Sequence, residues 1–350
     1  MQDLVVITGS SGRLGSRLLQ RLKGSYTLVG MDMQAPKFKD DSFSFIYADF
    51  SSEESMKKAF EQLKKEKGSK IASVIHLAAY YSFEGGAWEK YEQITVEGTR
   101  RLLQNLSSFE VEQFIFSSTL LVYKPTEPGV KINESSELDP SWAYPKSKVL
   151  TEKVIQENKG NISSVILRIA GCYDEGCHSI PLSQMMQRIY EKDLTSHVFP
   201  GNLNHGASFL HFADFVEGLV KVLDKRKDLG KEELFLMGEP ETYSYKELQD
   251  KLGELIHNKK WITIRIPKWI AKIGAWLQLV FPSKNKPFIR PWMIDLADDH
   301  FELDLAHSEK VLGWKPQKNL LQTLPEMVKI LKDSPILWYR ENGIPYTKKP

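Results

Sequence analysis

The chain has 350 residues, enough for one large or two modest domains with a real core. Its 41% hydrophobic and 26% charged residues are ordinary for a soluble globular protein, and a formal net charge of +2 argues against nucleic acid or an acidic membrane as the main partner. Two cysteines, Cys172 and Cys177, cannot build a disulfide framework; with only His178 beside them they read as free thiols in a reducing compartment and not as a metal site.

The N-terminal "MQDLVVITGSSG" lacks the basic region and cleavage site of a signal peptide, so the cytoplasm is the expected location. "LVVIT" (4–8) reads as a first strand, and "TGSSGRLG" (8–15) follows it and opens a helix. Gly9, Gly12 and Gly15, spaced three and three, allow a tight turn and close approach of backbone to a pyrophosphate at a helix N-terminus. "YTLVGMD" (26–32) is a second strand ending on Asp32. A carboxylate there accepts from both ribose hydroxyls and repels a 2′-phosphate, which favours NAD over NADP. Met33 agrees; Arg13 is the dissenting residue, unless it is simply a surface arginine. "FSFIYA" (43–48) leads to Asp49, which suits either the adenine end of the site or the start of the helix over 53–67. "SVIHLAA" (73–79), "QFIFSS" (113–118) and "SSVILRIA" (163–170) are further strands. Amphipathic stretches alternate with them, a pattern that calls for a parallel sheet wrapped by helices.

In "AYPKSK" (143–148), Pro145 suits the first turn of a helix, which places Tyr144 and Lys148 one turn apart on one face. To act as a base near neutrality a tyrosine must lose roughly 3 pKa units, about 4 kcal/mol. A nearby ammonium and a cationic nicotinamide ring can supply that by charge. A hydroxyl that positions the substrate oxygen is available on the preceding strand, "FIFSSTLLVY" (114–123). Past residue 170 the chain is turn-rich, with helices near 182–191, 244–257 and 267–280, while 208–237 looks like a return to the sheet. "WIAKIGAWLQLVF" (269–281) is 13 residues, contains Lys272 and Gln278, and is too short to span a bilayer. It reads as a buried amphipathic helix or, given Lys259, Lys260, Arg265, Lys268, Lys284, Lys286 and Arg290 around it, as a peripheral membrane contact near 267–290.

These pieces together resemble an extended short-chain dehydrogenase/reductase, the NAD-dependent epimerase/dehydratase group. "TGSSGRLG", "HLAA" (76–79), "VEGTRRLL" (96–103), "FSSTLLVY" (116–123), "YPKSK" (144–148), "LRIAGCY" (167–173), "FLHFADFVEGLV" (209–220) and "SEKVLGWKP" (308–316) fall in family order over about residues 1–325. The resemblance implies an α/β fold: a Rossmann-like doubly wound parallel sheet with a smaller, mostly helical C-terminal substrate domain. It sets the nucleotide domain at 1–170, with 208–237 returning to it, and the substrate domain at 171–350. By position, Tyr144 matches the family's acid/base, Lys148 the residue that holds the nicotinamide ribose and lowers the tyrosine pKa, and Thr119 the hydroxyl partner. The implied cofactor is NAD, held at Gly9, Ser11, Gly12, Arg13, Leu14, Gly15, Asp32, Asp49, Phe50, Leu77, Ala78, Ala79 and Ser118 together with Tyr144 and Lys148. A homodimer through helices near 88–106 and 144–159 is implied as well.

Four departures from the pattern bear on the substrate. Thr119 is followed by Leu120 and Leu121, where the family's 4,6-dehydratases carry acids. Gly171 replaces an asparagine, Ala207 an arginine suited to a diphosphate, and Thr95 another asparagine, while Arg168 reads as structural. Tyr80, Tyr81, Phe83 and Trp88 in "AAYYSFEGGAW" (78–88) either line an apolar pocket or pack between domains. With Gly171 and Cys172, Tyr80 and Tyr81 are the candidate substrate residues. The expected activity is hydride transfer at a secondary alcohol or ketone of a small, weakly charged molecule. The rivals are a nucleotide-sugar epimerase with tightly bound NAD and a non-catalytic NAD sensor or scaffold; neither nucleic acid nor a metal is expected.

Overall fold

A computed structural model describes residues 2–37, 40–83, 85–280 and 289–346. Phe281, Lys284 and Lys286, part of the expected membrane contact, lie outside them. Seven runs rich in β-branched and aromatic residues form one sheet: β1 (Leu4–Thr8), β2 (Thr27–Asp32), β3 (Phe43–Tyr47), β4 (Lys70–His76), β5 (Glu110–Thr119), β6 (Ser163–Ile169) and β7 (Glu232–Met237). The order is β3-β2-β1-β4-β5-β6-β7 and every neighbouring pair is parallel. The order reverses between β1 and β4, the switch point where such sheets open a crevice for ligands.

Helices α1 (Arg13–Leu22), α2 (Glu53–Lys67), α3 (Glu97–Leu106), α4 (Ala143–Asn158) and α6 (Phe212–Asp224) cover the two faces, and α5 (Ile180–Glu191), α7 (Tyr245–His257), α8 (Lys268–Val280) and α9 (Leu320–Asp333) pack outside the sheet. Successive side chains of a strand point to opposite faces, so a strand covered on both sides is apolar throughout. In β1, Val5 and Ile7 join a core with Leu18, Leu19 and Leu22 of α1 and Phe215, Leu219 and Val222 of α6. Leu4 and Val6 join a second core with Leu102, Leu103 and Leu106 of α3 and Val154 and Ile155 of α4. A third core is built mostly from later residues, where Leu182 and Met186 of α5 meet Leu248 and Leu252 of α7 and Leu324, Met327 and Leu331 of α9.

β4 differs from its expected span: it runs from Lys70 to His76 instead of over 73–79. The chain leaves the sheet at Leu77 because its amides turn onto β1. The Leu77 N–H donates to the Thr8 carbonyl at 3.2 Å and the Ala78 N–H to Thr8 Oγ1 at 3.3 Å. That bend forms one wall of the switch-point crevice.

Candidate active site

The other wall is the glycine loop between β1 and α1. Gly9 adopts φ +68°, and a Cβ built on it would lie 2.8 Å from the Ala78 nitrogen; one on Gly15 would run into the Gly9 carbonyl. Only glycine permits this approach of loop, bend and helix. Below the loop, Thr8 Oγ1 meets His76 Nδ1 at 2.7 Å and His76 Nε2 meets Thr99 Oγ1 at 2.8 Å. Burial pushes the His76 pKa down to about 3, with Lys148 adding to the effect, so a neutral imidazole ties β1, β4 and α3 together.

α1 starts after Gly12 with no side-chain cap and no acid in its first turn. The amides of Arg13, Leu14 and Gly15 are therefore left as donors at the positive end of the helix dipole. Asp32 ends β2 beside them, its Oδ2 accepting from the Ser11 N–H and its Oδ1 from the Gln34 N–H, each at 3.0 Å. First-turn donors, a loop too tight for any Cβ and an adjacent carboxylate fit a dinucleotide: pyrophosphate on the amides, ribose hydroxyls on Asp32. Arg13 turns its guanidinium to the Glu341 carbonyl, 2.5 Å away, which removes the one feature that spoke for a 2′-phosphate.

Asp49 follows β3 and accepts from the Ser51 N–H at 2.9 Å and the Ser51 hydroxyl at 2.7 Å. The cap of α2 is Ser52, which accepts from the Ser55 N–H, and the Asp49 N–H donates to Ser55 Oγ, so Asp49 sits in the turn that leads into the helix. Phe50 is buried against Gly98 and the His76 ring.

The chemistry-bearing groups converge where β5 ends and α4 begins. Lys148, 3% exposed, donates from Nζ to the Ser117 carbonyl at 2.7 Å and lies 4.6 Å from the Phe116 ring centroid and 5.7 Å from that of Tyr144. Burial pulls its pKa down to about 7, against the opposing pull of Glu152. Tyr144 is half-buried, yet enough protein surrounds its phenol that burial raises its pKa, Cys172 adds to the rise, and a hydrogen bond with Thr119 opposes it. This is opposite to the direction expected from Lys148: desolvation of the phenol dominates, and burial lowers the pKa of Lys148 as well.

Thr119 ends β5 with its Oγ1 also accepting from the Leu121 N–H at 3.3 Å. Ser118 points to the opposite face, is fully buried, and donates its hydroxyl to Glu152. Its side chain therefore braces the fold and does not face the crevice, contrary to its expected cofactor contact. Glu152 in turn holds Arg168 at 2.6 Å, and Arg168 donates to the Tyr123 hydroxyl at 2.7 Å, so Arg168 is structural.

Around the phenol the walls are aromatic. Tyr81 meets Tyr144 edge-on at 4.8 Å between centroids, Trp142 lies 5.5 Å from Tyr144, and Trp292 lies 5.3 Å from Trp142. Phe83 adds an edge contact to Trp142 at 6.1 Å. Cys172 is half-buried and close enough to influence Tyr144, and burial pushes its thiol up to about 12. Gly171 lies against the Phe209 ring. Tyr80 departs from the expected pair: its ring packs edge-on against Tyr91 at 4.8 Å with Lys90 over it, so only Tyr81 reaches the phenol. Cys172 and Cys177 are both free thiols, and the described residues hold no cluster of metal-ligating side chains.

Two features were not anticipated. Trp142 immediately precedes the "AYPKSK" motif and could have been flagged from that position; Trp292 arrives from the distant Pro291–Asp295 helix, which no local pattern announces. The segment Tyr91–Val96 is a π-helix, and it presents Thr95 Oγ1 to the Tyr80 N–H at 2.9 Å. Such wider turns occur often at functional sites.

Comparison with known proteins identifies the family. The family model described as "NAD dependent epimerase/dehydratase family" matches residues 5–238, well over half of the chain. The chain belongs to the NAD-dependent epimerase/dehydratase family, the extended short-chain dehydrogenases/reductases, and is an enzyme whose cofactor is NAD. It is similar to the UDP-glucose 4-epimerase of Vibrio cholerae, 24% identical with 91% of this chain and 93% of the relative covered. It is 22% identical to the decarboxylating sterol-4-alpha-carboxylate 3-dehydrogenase of Candida albicans, covering 90% and 94%. The UDP-glucuronic acid 4-epimerase of Bacillus cereus, solved with UDP-glucuronic acid and NAD, shares the fold at TM-score 0.70 and 20% identity, covering 94% of this chain and 99% of that one.

Proposed function

We propose that this enzyme is an oxidoreductase that exchanges hydride at a secondary alcohol or ketone of an apolar small molecule, with Tyr144, Thr119 and Lys148 as its catalytic residues. The observation that carries the reading is the aromatic wall of Tyr81, Trp142 and Trp292 around the Tyr144 phenol, with Thr119 beside it. NAD, when bound, supplies or takes up the hydride. The amides of Arg13, Leu14 and Gly15 would hold its pyrophosphate and Asp32 its adenosine ribose, with Asp49 and Phe50 toward the adenine and the Leu77–Ala79 bend behind the dinucleotide.

The chain's own task is the proton. In oxidation Tyr144 takes it from the substrate hydroxyl, and in reduction the phenol returns it to the carbonyl oxygen. Thr119 donates to the same oxygen and holds it at the phenol. Lys148 places positive charge below the ring and favours the phenolate whenever it forms. A diphosphate-bearing substrate would need charge-assisted partners, and Ala207 occupies the place of the family's arginine. A sterol dehydrogenase among the relatives supports an apolar substrate, while the epimerases among them keep nucleotide sugars as the rival.

We further propose that the third core forms a substrate domain beginning near residue 171. The homodimer through the helices near 88–106 and 144–159 belongs to the same reading; Leu150, 39% exposed on α4, gives that contact an apolar point.

The test is mass spectrometry of ligands released from the purified protein, followed by a nicotinamide-fluorescence screen of secondary alcohols and ketones. Net reduction of added NAD by apolar alcohols is expected. Locked-in NAD with no net turnover and tight binding of UDP-sugars would make it an epimerase. NAD binding without any turnover would make it a sensor.

A further inference from the structure

The face of α8 runs contrary to an ordinary surface helix. Trp269, Ile270, Ile273, Trp276 and Leu277 share one stripe at helical spacing, and they are 64, 43, 50, 55 and 44% exposed, while Ala275 is buried on the inner side. Just before the helix, Ile262 and Ile264 are 74 and 61% exposed. An apolar stripe this wide, turned outward, marks an interaction surface.

The segment that carries it is basic, and of its cations Lys268 and Lys272 are paired with Asp298 and Asp295 just beyond it. From Asn258 to Ile294 the sequence has eight Lys or Arg and no Asp or Glu, in a chain whose net charge is only +2. Lys259, Lys260 and Arg265 are exposed and make no ion pair among the described residues. A second copy of the same face would set these cations against one another, which argues against self-association there. Tryptophans on an apolar stripe bordered by cations match the boundary between lipid headgroups and acyl chains. No helix among the described residues is long and apolar enough to cross a membrane, so the contact would lie on the surface.

The stripe is coupled to the crevice. Lys272 pairs with Asp295 at 2.6 Å, and Lys268 pairs with Asp298 and donates to the Asp295 carbonyl. These bonds fasten α8 to the Pro291–Asp295 helix, which carries Trp292 onto Trp142 beside Tyr144. We infer that α8 docks on an anionic lipid surface and that the Trp142–Trp292 mouth takes its substrate, an alcohol or ketone on a membrane-resident lipid, from that surface. The substrate half of this inference rests on the oxidoreductase reading; the docking half does not.

The test is sedimentation of the full chain with phosphatidylcholine vesicles, with and without phosphatidylglycerol. Binding only to the anionic vesicles, weakened by added salt, is expected. Trp269→Ser with Trp276→Ser should lower that binding by about tenfold or more without changing Tm, because both side chains are exposed. Wild type left in the supernatant with anionic vesicles, or the double variant bound as tightly as wild type, overturns the docking. So does a wild-type oligomer that the double variant dissolves in sedimentation velocity, because the stripe would then be covered by a second copy. Vesicle binding with turnover of soluble alcohols, and none of lipid alcohols presented in those vesicles, keeps the docking and the oxidoreductase reading and overturns the substrate source. Vesicle binding with no oxidoreductase turnover at all overturns the substrate half together with that reading, leaving the docking in place.

Discussion

The two walls of the crevice are made differently. The nucleotide side is backbone: amides at the start of α1, a glycine loop touching the Ala78 bend, and one carboxylate on Asp32. The proposed substrate side is side chains from distant segments, Tyr81, Trp142, Cys172 and Trp292, gathered around one phenol. Backbone recognition serves any molecule with the same phosphates, so that side follows the family. Recognition by side chains changes with each substitution, so the other side is where this chain departs.

The largest effect expected from that contrast is on the nucleotide side. Asp32→Arg removes the acceptor for the ribose hydroxyls and offers a cation to a 2′-phosphate. Steady-state kinetics should show kcat/KM for NAD falling by about 100-fold, on the order of 3 kcal/mol, while NADP gains. An unchanged preference would mean that Asp32 does not face the ribose. On the substrate side Trp292→Ala should raise KM for an apolar alcohol by about tenfold with less change in kcat, the signature of lost uniform binding. NAD affinity, measured by fluorescence titration, should not move; if it does, the two walls are not separable.

The smallest effect is one of stability. The Lys148 pKa lies near 7 in the fold, below the ordinary lysine value of about 10.4, so between those values the unfolded chain binds more protons. The group's contribution to stability is complete above the ordinary value and is lost as pH falls through about 7. Lys148→Met cannot titrate, so its Tm should rise relative to wild type as pH falls from about 10 to about 7, with no further divergence below. Its turnover should fall over the same range. A constant Tm difference would mean that Lys148 stays charged in the fold.

The same contrast explains what could be read from the chain. The glycine loop, Asp32, Thr119, Tyr144 and Lys148 lie in contiguous motifs, and the strand and helix periods that place them are local, so their positions at strand and helix ends could be read together with the sheet. Ser118 was misread because a one-residue step along β5 reverses the side chain, and only the Glu152–Arg168 pair on the far face shows which way it goes. Tyr80 and Tyr81 are neighbours with identical chemistry; the π-helical turn at Tyr91–Val96 takes one ring and leaves the other to the phenol. Trp292 reaches the site through tertiary packing alone. The rise in the Tyr144 pKa is likewise a property of enclosure, which a motif does not encode.

Proton transfer by Tyr144 is the centre of the account, and Tyr144→Phe tests it most directly. With an alcohol identified by the screen, NADH formation should fall by about 10²–10⁴-fold in kcat while NAD still binds. In the wild type the rate of oxidation should climb with pH well into the alkaline range, because burial holds the phenol above its usual value. A Tyr144→Phe enzyme that turns over as fast as the wild type would contradict the account.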